Sequence, residues 1–220
     1  MYKTVIFDID GTIINSSGGI IQAVQHTIKE LGLRELSNTE LQEFVGYSPL
    51  VKAFEHYCVL SESVAVESAK IYRDYYKKEA MFKSEVYPDI RELLEILKSA
   101  GVKLGVATYK REDYAIELMK YFGLDKYFDV ICGADNDNKL KKADILRKCM
   151  KKLSGAPEET VLIGDSIHDG NAAHEAGVWF IGVTYGFGFK TKSDMKAYNP
   201  VFAADSVGEI IEFFKKNSFR

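Results

Sequence analysis

Thr4-Val5-Ile6-Phe7-Asp8-Ile9-Asp10-Gly11-Thr12 decides how the rest of the chain is read. Thr4 to Phe7 is a short apolar, β-rich run of the kind that forms a buried parallel strand, and it stops abruptly at two aspartates and a glycine. Outward from it, four further runs behave alike: Val102 to Ala107, Phe128 to Cys132, Thr160 to Ile163 and Trp179 to Val183. Helical patterns stand between them. Leu93, Leu94 and Leu97 recur at helical spacing before Gly101, and Ala172, Ala173 and Ala176 before Gly177, where glycine suits a helix C-terminus.

Alternating strands and helices predict an α/β fold: a Rossmann-like doubly wound parallel sheet, covered by helices on both faces, with ligands at the carboxyl ends of its strands. One segment breaks the alternation. From Ser16 to Phe82 the pattern contains amphipathic helical stretches, such as Ile20, Ile21, Val24, Ile28 and Leu31, and no strand. This predicts an inserted all-helical subdomain over residues 16–82, with residues 1–15 and 83–220 forming the α/β core. Ser16 to Gly19 and the chain near Phe82 to Ser84 are the expected hinges. Ser206 to Phe214 predicts a closing amphipathic helix.

Composition narrows the function. With 46% hydrophobic and 28% charged residues the chain has the balance of a folded globular protein. A net charge of −3 with scattered basic residues gives no footprint for a nucleic acid polymer or an acidic membrane surface. Cys58, Cys132 and Cys149 lack metal-ligand spacing and read as reduced packing residues. Met1 runs straight into the first strand without the apolar length of a signal peptide, so the cytoplasm is the expected location.

The chemistry lies where strands end. Asp8 and Asp10 stand two residues apart, before a glycine that permits a tight turn. One aspartate can act as a nucleophile that becomes an aspartyl-phosphate. The other can protonate the leaving oxygen and then activate water. In isolation such a pair could be a turn or a helix cap, but Gly164-Asp165-Ser166-Ile167-His168-Asp169 repeats the arrangement after another apolar strand. Hard carboxylate oxygens from Asp8, Asp165 and Asp169 suit Mg2+. Thr108 ends a strand, where its hydroxyl can meet a phosphate oxygen, and Lys142 opens a helix, where its ammonium can offset charge. His168 needs no independent role, and Tyr72, Tyr75 and Tyr76 read as packing residues.

These elements, Asp8-Ile9-Asp10-Gly11-Thr12, Thr108, Lys142 and Gly164-Asp165 with Asp169, resemble in order the four motifs of the haloacid dehalogenase superfamily of hydrolases. The resemblance covers nearly the whole chain, since Ser16 to Phe82 looks like the helical cap that one branch inserts after its first motif. Within that branch it is nearest to phosphoglycolate phosphatase and related nucleotide phosphatases, and Val161 to Gly177 is its most specific part. It implies Asp8 as nucleophile, Asp10 as general acid/base, Thr108 and Lys142 as phosphate and charge anchors, and Mg2+ held around Asp8, Asp10, Asp165 and Asp169. The implied metal set includes the backbone carbonyl of Ile9, between the two aspartates. Lys142 is preferred over its neighbours Lys139 and Lys141 because Lys142-Ala143-Asp144-Ile145 looks most like the family's helix start. The cap is implied to choose the substrate, and Gly46-Tyr47-Ser48-Pro49-Leu50 loosely resembles its loop.

The expected activity is therefore magnesium-dependent hydrolysis of a small phosphorylated metabolite, phosphoglycolate or a nucleotide-like ester. Dehalogenation is disfavoured because it needs no proton donor at Asp10. A phosphomutase, or a non-catalytic phosphate-binding regulator on the same fold, are the alternatives.

Overall fold

The computed structural model describes residues 2–47, 49–135 and 140–217, and falls into two compact units: residues 1–15 with 86–220, and residues 16–85. The first unit is built on six strands: β1 (Thr4–Phe7), β4 (Lys103–Arg111), β5 (Val130–Ala134), β6 (Thr160–Gly164), β7 (Trp179–Val183) and β8 (Phe202–Ala204). Their order is β5-β4-β1-β6-β7-β8, and every pairing is parallel. Two-residue strands β2 (Ile14–Asn15) and β3 (Glu85–Val86) stand where the chain leaves and re-enters this unit.

Burial explains the sheet. Val5, Ile6 and Phe7 are fully shielded from solvent, as are Val161, Leu162 and Ile163 on the adjoining strand. Strands covered on both faces need apolar residues at every position, which is why neither run alternates. Ile6 and Leu162 pack into one cluster with Leu146 and Cys149 of α7 (Lys142–Leu153) and Ala172 and Ala173 of α8 (Ile167–Ala176). Leu93, Leu94 and Leu97 give α5 (Ile90–Ser99) a fully buried stripe, and α5 packs against α9 (Val207–Asn217), which buries Ile210, Ile211 and Phe214. A further α-helix of this unit, α6 (Glu112–Tyr121), lies against β4 and β5.

The strand order reverses at β1: from it the sheet grows one way to β4 and β5, and the other way to β6, β7 and β8. Parallel α/β sheets bind ligands beyond the carboxyl ends of the strands at such a switch point. In register, Phe7 lies opposite Val106 on one side and Ile163 on the other. The residues that follow these three are brought to one edge by that pairing.

The second unit is helical: α1 (Ser17–Glu30), α2 (Asn38–Val45), α3 (Leu50–Cys58), α4 (Glu62–Tyr75) and one turn of π-helix over Tyr76–Ala80. Ser37 and Glu40 form a capping box that starts α2. Tyr72 and Tyr76 are buried and stack with centroids 5.6 Å apart, as packing residues do. Tyr75 is used differently, stacked on His26 and accepting a hydrogen bond from Gln22 Nε2 at 3.0 Å. The loop expected at Gly46–Leu50 includes Ser48, which lies outside the described residues.

Sequence and structure differ at four places. Ser17, Gly18 and Gly19, expected at a hinge, form the first turn of α1. A Cβ at Gly19 would collide with the carbonyl oxygen of Ala80, so glycine there permits two backbones of the helical unit to touch. The strand expected at Val102 to Ala107 runs on to Arg111, and that expected at Phe128 starts at Val130. Edge strand β8 is only three residues long and carries no alternation to announce it. All three cysteines are buried and free. No helix among the described residues is long and apolar enough to cross a membrane.

Candidate active site

Asp8 is the first residue beyond β1, and its amide donates to the carbonyl of Ile163 at 2.9 Å, so the sheet ladder continues one residue past the strand. Gly11 takes φ +81, which lets the chain turn immediately behind Asp10. Asp165 follows β6, and Asp169 lies in the first turn of α8, where its Oδ2 accepts from Ser166 N at 3.1 Å and Ser166 Oγ at 2.6 Å. A carboxylate at a helix N-terminus also offsets the positive end of the helix dipole.

Carboxylate oxygens of Asp8, Asp165 and Asp169 lie within 4.8 Å of one another, and all three residues are buried. Lys142 joins them. Its Nζ lies 2.7 Å from Asp8 Oδ1 and 3.0 Å from Asp169 Oδ1, with 3% of its side chain exposed. Lysine opens α7 at the helix end where a cation opposes the dipole, so the helix itself gains nothing from it. The two carboxylates account for its place. Burial works to lower the Lys142 pKa, but Asp169 and Asp8 outweigh it and hold the ammonium above its ordinary value. Among the three lysines considered from sequence, Lys142 reaches the aspartates; Lys141 precedes α7 as its N-cap, and Lys139 lies outside the described residues.

Three buried carboxylates around one ammonium leave an excess of negative charge. Burial, reinforced by Asp169 and Asp10, pushes the Asp8 carboxyl up to about 6 despite the pull of Lys142. Burial followed by the charges of Asp169 and Asp8 pushes Asp165 up to about 8. Asp8 Oδ1 and Asp169 Oδ1 are buried without a well-directed hydrogen bond. Clustered hard oxygens with one ammonium among three carboxylates carry surplus negative charge that fits a divalent cation such as Mg2+.

Asp10 does not join this group. Its Oδ2 pairs with Lys110 Nζ at 3.1 Å, and its Oδ1 is buried without a hydrogen-bond partner. The carbonyl of Ile9, implied as a metal ligand by the resemblance, is also otherwise engaged. It accepts from the amides of Thr12, Ile13 and Ile14 at 3.1, 2.9 and 2.9 Å, which occupies its lone pairs and corrects that expectation. Thr108 is buried within β4, and its Oγ1 accepts from Lys110 N at 3.2 Å. His168 packs edge-on against Tyr109, and burial lowers its pKa.

Sequence reasoning missed the support of Asp165. The loop after β7 delivers the amides of Phe187 and Gly188 to Asp165 Oδ2 at 2.6 and 3.1 Å, and Phe189 N to the Asp165 carbonyl at 2.8 Å. A Cβ at Gly186 would strike the Asp165 side chain and the Gly11 carbonyl, and one at Gly188 would strike the Asp165 backbone. Tyr185 OH donates to the Thr12 carbonyl at 3.1 Å, and Tyr87 OH to the Tyr185 carbonyl at 3.3 Å, bracing the same loop. The only signal in the sequence was the paired glycines of Gly186-Phe187-Gly188.

Residues 5–183 match the family model of the haloacid dehalogenase-like hydrolases. The chain is 33% identical over 206 residues to a 5'-nucleotidase of Pseudomonas aeruginosa, covering 93% of this chain and 92% of that one. It is 29% identical over 218 residues to a phosphoglycolate phosphatase of Vibrio parahaemolyticus, covering 96% and 95%. Among solved structures, a haloacid dehalogenase-like hydrolase from Streptococcus pneumoniae superimposes with a TM-score of 0.89 at 32% identity, covering 97% of this chain and 98% of that one. The motif order, the parallel sheet and these similarities agree: the chain belongs to the haloacid dehalogenase-like hydrolase family.

Proposed function

We propose that this chain hydrolyses a small phosphomonoester, phosphoglycolate or a nucleotide-like metabolite, through an aspartyl-phosphate on Asp8 with Mg2+ as cofactor. The observation that carries this reading is the separation of roles within one edge of the sheet. Asp8 sits in the carboxylate cluster against Lys142, whereas Asp10 stands outside it with one oxygen unengaged. A nucleophile and a proton carrier need those two environments.

Asp8 attacks phosphorus as the ester P–O bond breaks, and Asp10 gives its proton to the departing alkoxide. Asp10 then takes a proton from water, which attacks the acyl-phosphate and regenerates Asp8. Lys142 and the Thr108 hydroxyl hold charge on the phosphoryl oxygens, because phosphoryl transfer is mainly positioning and charge stabilisation. Asp8, Asp165 and Asp169 would hold Mg2+, which neutralises the anionic phosphate beside the anionic nucleophile. Substrate choice is assigned to the helical unit, residues 16–85, in keeping with the resemblance to capped members of the family. The relatives named as a 5'-nucleotidase and a phosphoglycolate phosphatase support the substrate class. Three free buried cysteines support a reducing, cytoplasmic location.

A panel of phosphate esters assayed with and without magnesium tests the reading. Release of phosphate from phosphoglycolate or a nucleoside monophosphate that stops on chelation is the expected result; turnover unaffected by chelation, or none on any ester, overturns it.

A further inference from the structure

We propose that Lys110 is the positioning residue for Asp10, fixing its carboxylate so that the unengaged oxygen faces the leaving group; this rests on the phosphatase reading above. Lys110 was no part of the motif set, and its placement follows from a fault in the sheet. β4 pairs with β5 in register up to Ala107 and Cys132, slips, and resumes at Arg111 opposite Ala134. Such bulges occur beside active sites, where they re-aim side chains that regular pleating would send to alternate faces.

The three residues inside the slip each serve a different part of the site. Thr108 Oγ1 receives the Lys110 amide, Tyr109 OH receives the amide of Lys142 at 3.0 Å, and Lys110 Nζ reaches Asp10 Oδ2 at 3.1 Å. Only 7% of the Lys110 side chain is exposed, against 24% for Asp10. An ammonium so shielded has given up its hydration, which a surface ion pair does not require, and the pair is therefore held in one geometry.

A carboxylate with two equivalent free oxygens turns readily about its last torsion. Tying Oδ2 to Lys110 removes that freedom and leaves Oδ1, buried and without a hydrogen-bond partner, as the oxygen that exchanges a proton with the ester or with water. The proton moves from Asp10 to the alkoxide as its bond to phosphorus breaks. The more basic that alkoxide, the more the step depends on a well-placed acid.

The test is the dependence of kcat/KM on leaving-group basicity, measured with substituted phenyl phosphates, ethyl phosphate and 2-phosphoglycolate on wild type, Lys110→Met and Lys110→Arg. Lys110→Met keeps the apolar stem and removes the charge. Misplacing a reacting group costs on the order of a hundredfold, so the loss should grow from a few-fold on 4-nitrophenyl phosphate to about a hundredfold on ethyl phosphate. Lys110→Arg should recover part of the steep end of the series. Equal loss on every ester, or no loss, overturns the inference, as does a loss confined to 2-phosphoglycolate, which would make Lys110 a contact for the substrate's second anionic group. Should Lys110→Met fail to fold, Lys110→Gln takes its place: a slope steeper than wild type supports the inference and a wild-type slope overturns it. A wild-type chain that hydrolyses none of the esters overturns the phosphatase reading and this inference with it.

Discussion

Lys142 Nζ stands 2.7 Å from Asp8 Oδ1 with both side chains almost wholly withdrawn from solvent. Such a pair is expensive to break from one side, because the partner left behind is a buried charge. Lys142→Met should lower turnover by about a hundredfold to a thousandfold, the cost of losing one charge-stabilising group at a reacting centre. Steady-state kinetics on the best ester, beside a circular dichroism check of the fold, measures it.

The two aspartates should separate by mutation. Asp8→Asn should abolish turnover, since an amide is a poor nucleophile and surrenders a charge from the carboxylate cluster. Asp10→Asn should keep phosphate binding and slow both formation and hydrolysis of the aspartyl-phosphate, each by about a hundredfold to ten-thousandfold. Acid-quench trapping of the phosphorylated protein in single-turnover experiments reads both steps. Full activity in Asp8→Asn, or wild-type rates for Asp10→Asn with a poor leaving group, would remove the mechanism.

Stability of the metal-free protein should fall as pH rises across the neutral range. Burial and neighbouring carboxylates raise Asp165 to about 8 and Asp8 to about 6, both above the ordinary aspartate value. Between the unfolded and folded values the folded chain binds more protons than the unfolded one, so raising pH costs stability until pH passes the folded value. Melting temperatures taken in chelator from about pH 4 to about pH 8 should decline. The stabilisation given by magnesium should grow over the same window, because the cation binds the deprotonated set. A magnesium shift that shrinks with rising pH would contradict the placement of these carboxylates as its ligands.

The amides of Phe187 and Gly188 fix Asp165 from behind, and a Cβ at Gly186 would strike its side chain. Partners of a metal ligand typically govern affinity by about tenfold to a hundredfold. Gly186→Ala should raise the magnesium concentration needed for half-maximal thermal stabilisation by that order, with secondary structure retained. Unchanged magnesium dependence would show that the loop does not set the orientation of Asp165.

The parts of the site read most easily in the sequence sit where a buried strand stops. Asp8 and Asp165 stand out because an unbroken apolar run such as Thr4 to Phe7 or Thr160 to Ile163 meets a charge without warning. Lys142 was harder, since only the helix start Lys142-Ala143-Asp144-Ile145 sets it apart from Lys139 and Lys141; its importance comes from two aspartates distant in sequence. Lys110 was illegible for a different reason. A register slip is a property of a strand pair, and its one mark in the sequence, Gly133 of β5, where a Cβ would strike the Lys110 carbonyl, does not say which side chain the slip re-aims. The close approach of Gly19 to Ala80 has no local mark, because it depends on a backbone distant in sequence. Tyr185 and the Gly186–Gly188 loop act through backbone groups, which composition does not record.

The register of β1 has a consequence for how the chain is made. Thr4 pairs with Lys103 on one side and Thr160 on the other, so β1 becomes the middle of the sheet and waits for partners encoded far downstream. Contacts this distant in sequence slow folding, because loop closure must precede any reward from pairing. The helices of residues 16–85 contact one another locally and are complete long before Thr160 is synthesised. The helical unit is thus placed to fold first on the ribosome, while Thr4 to Phe7, with its full set of apolar side chains, stays unpaired and exposed to aggregation. Nascent chains stalled before residue 103 should accordingly show a protease-resistant helical segment beside a protease-sensitive stretch at Thr4 to Phe7.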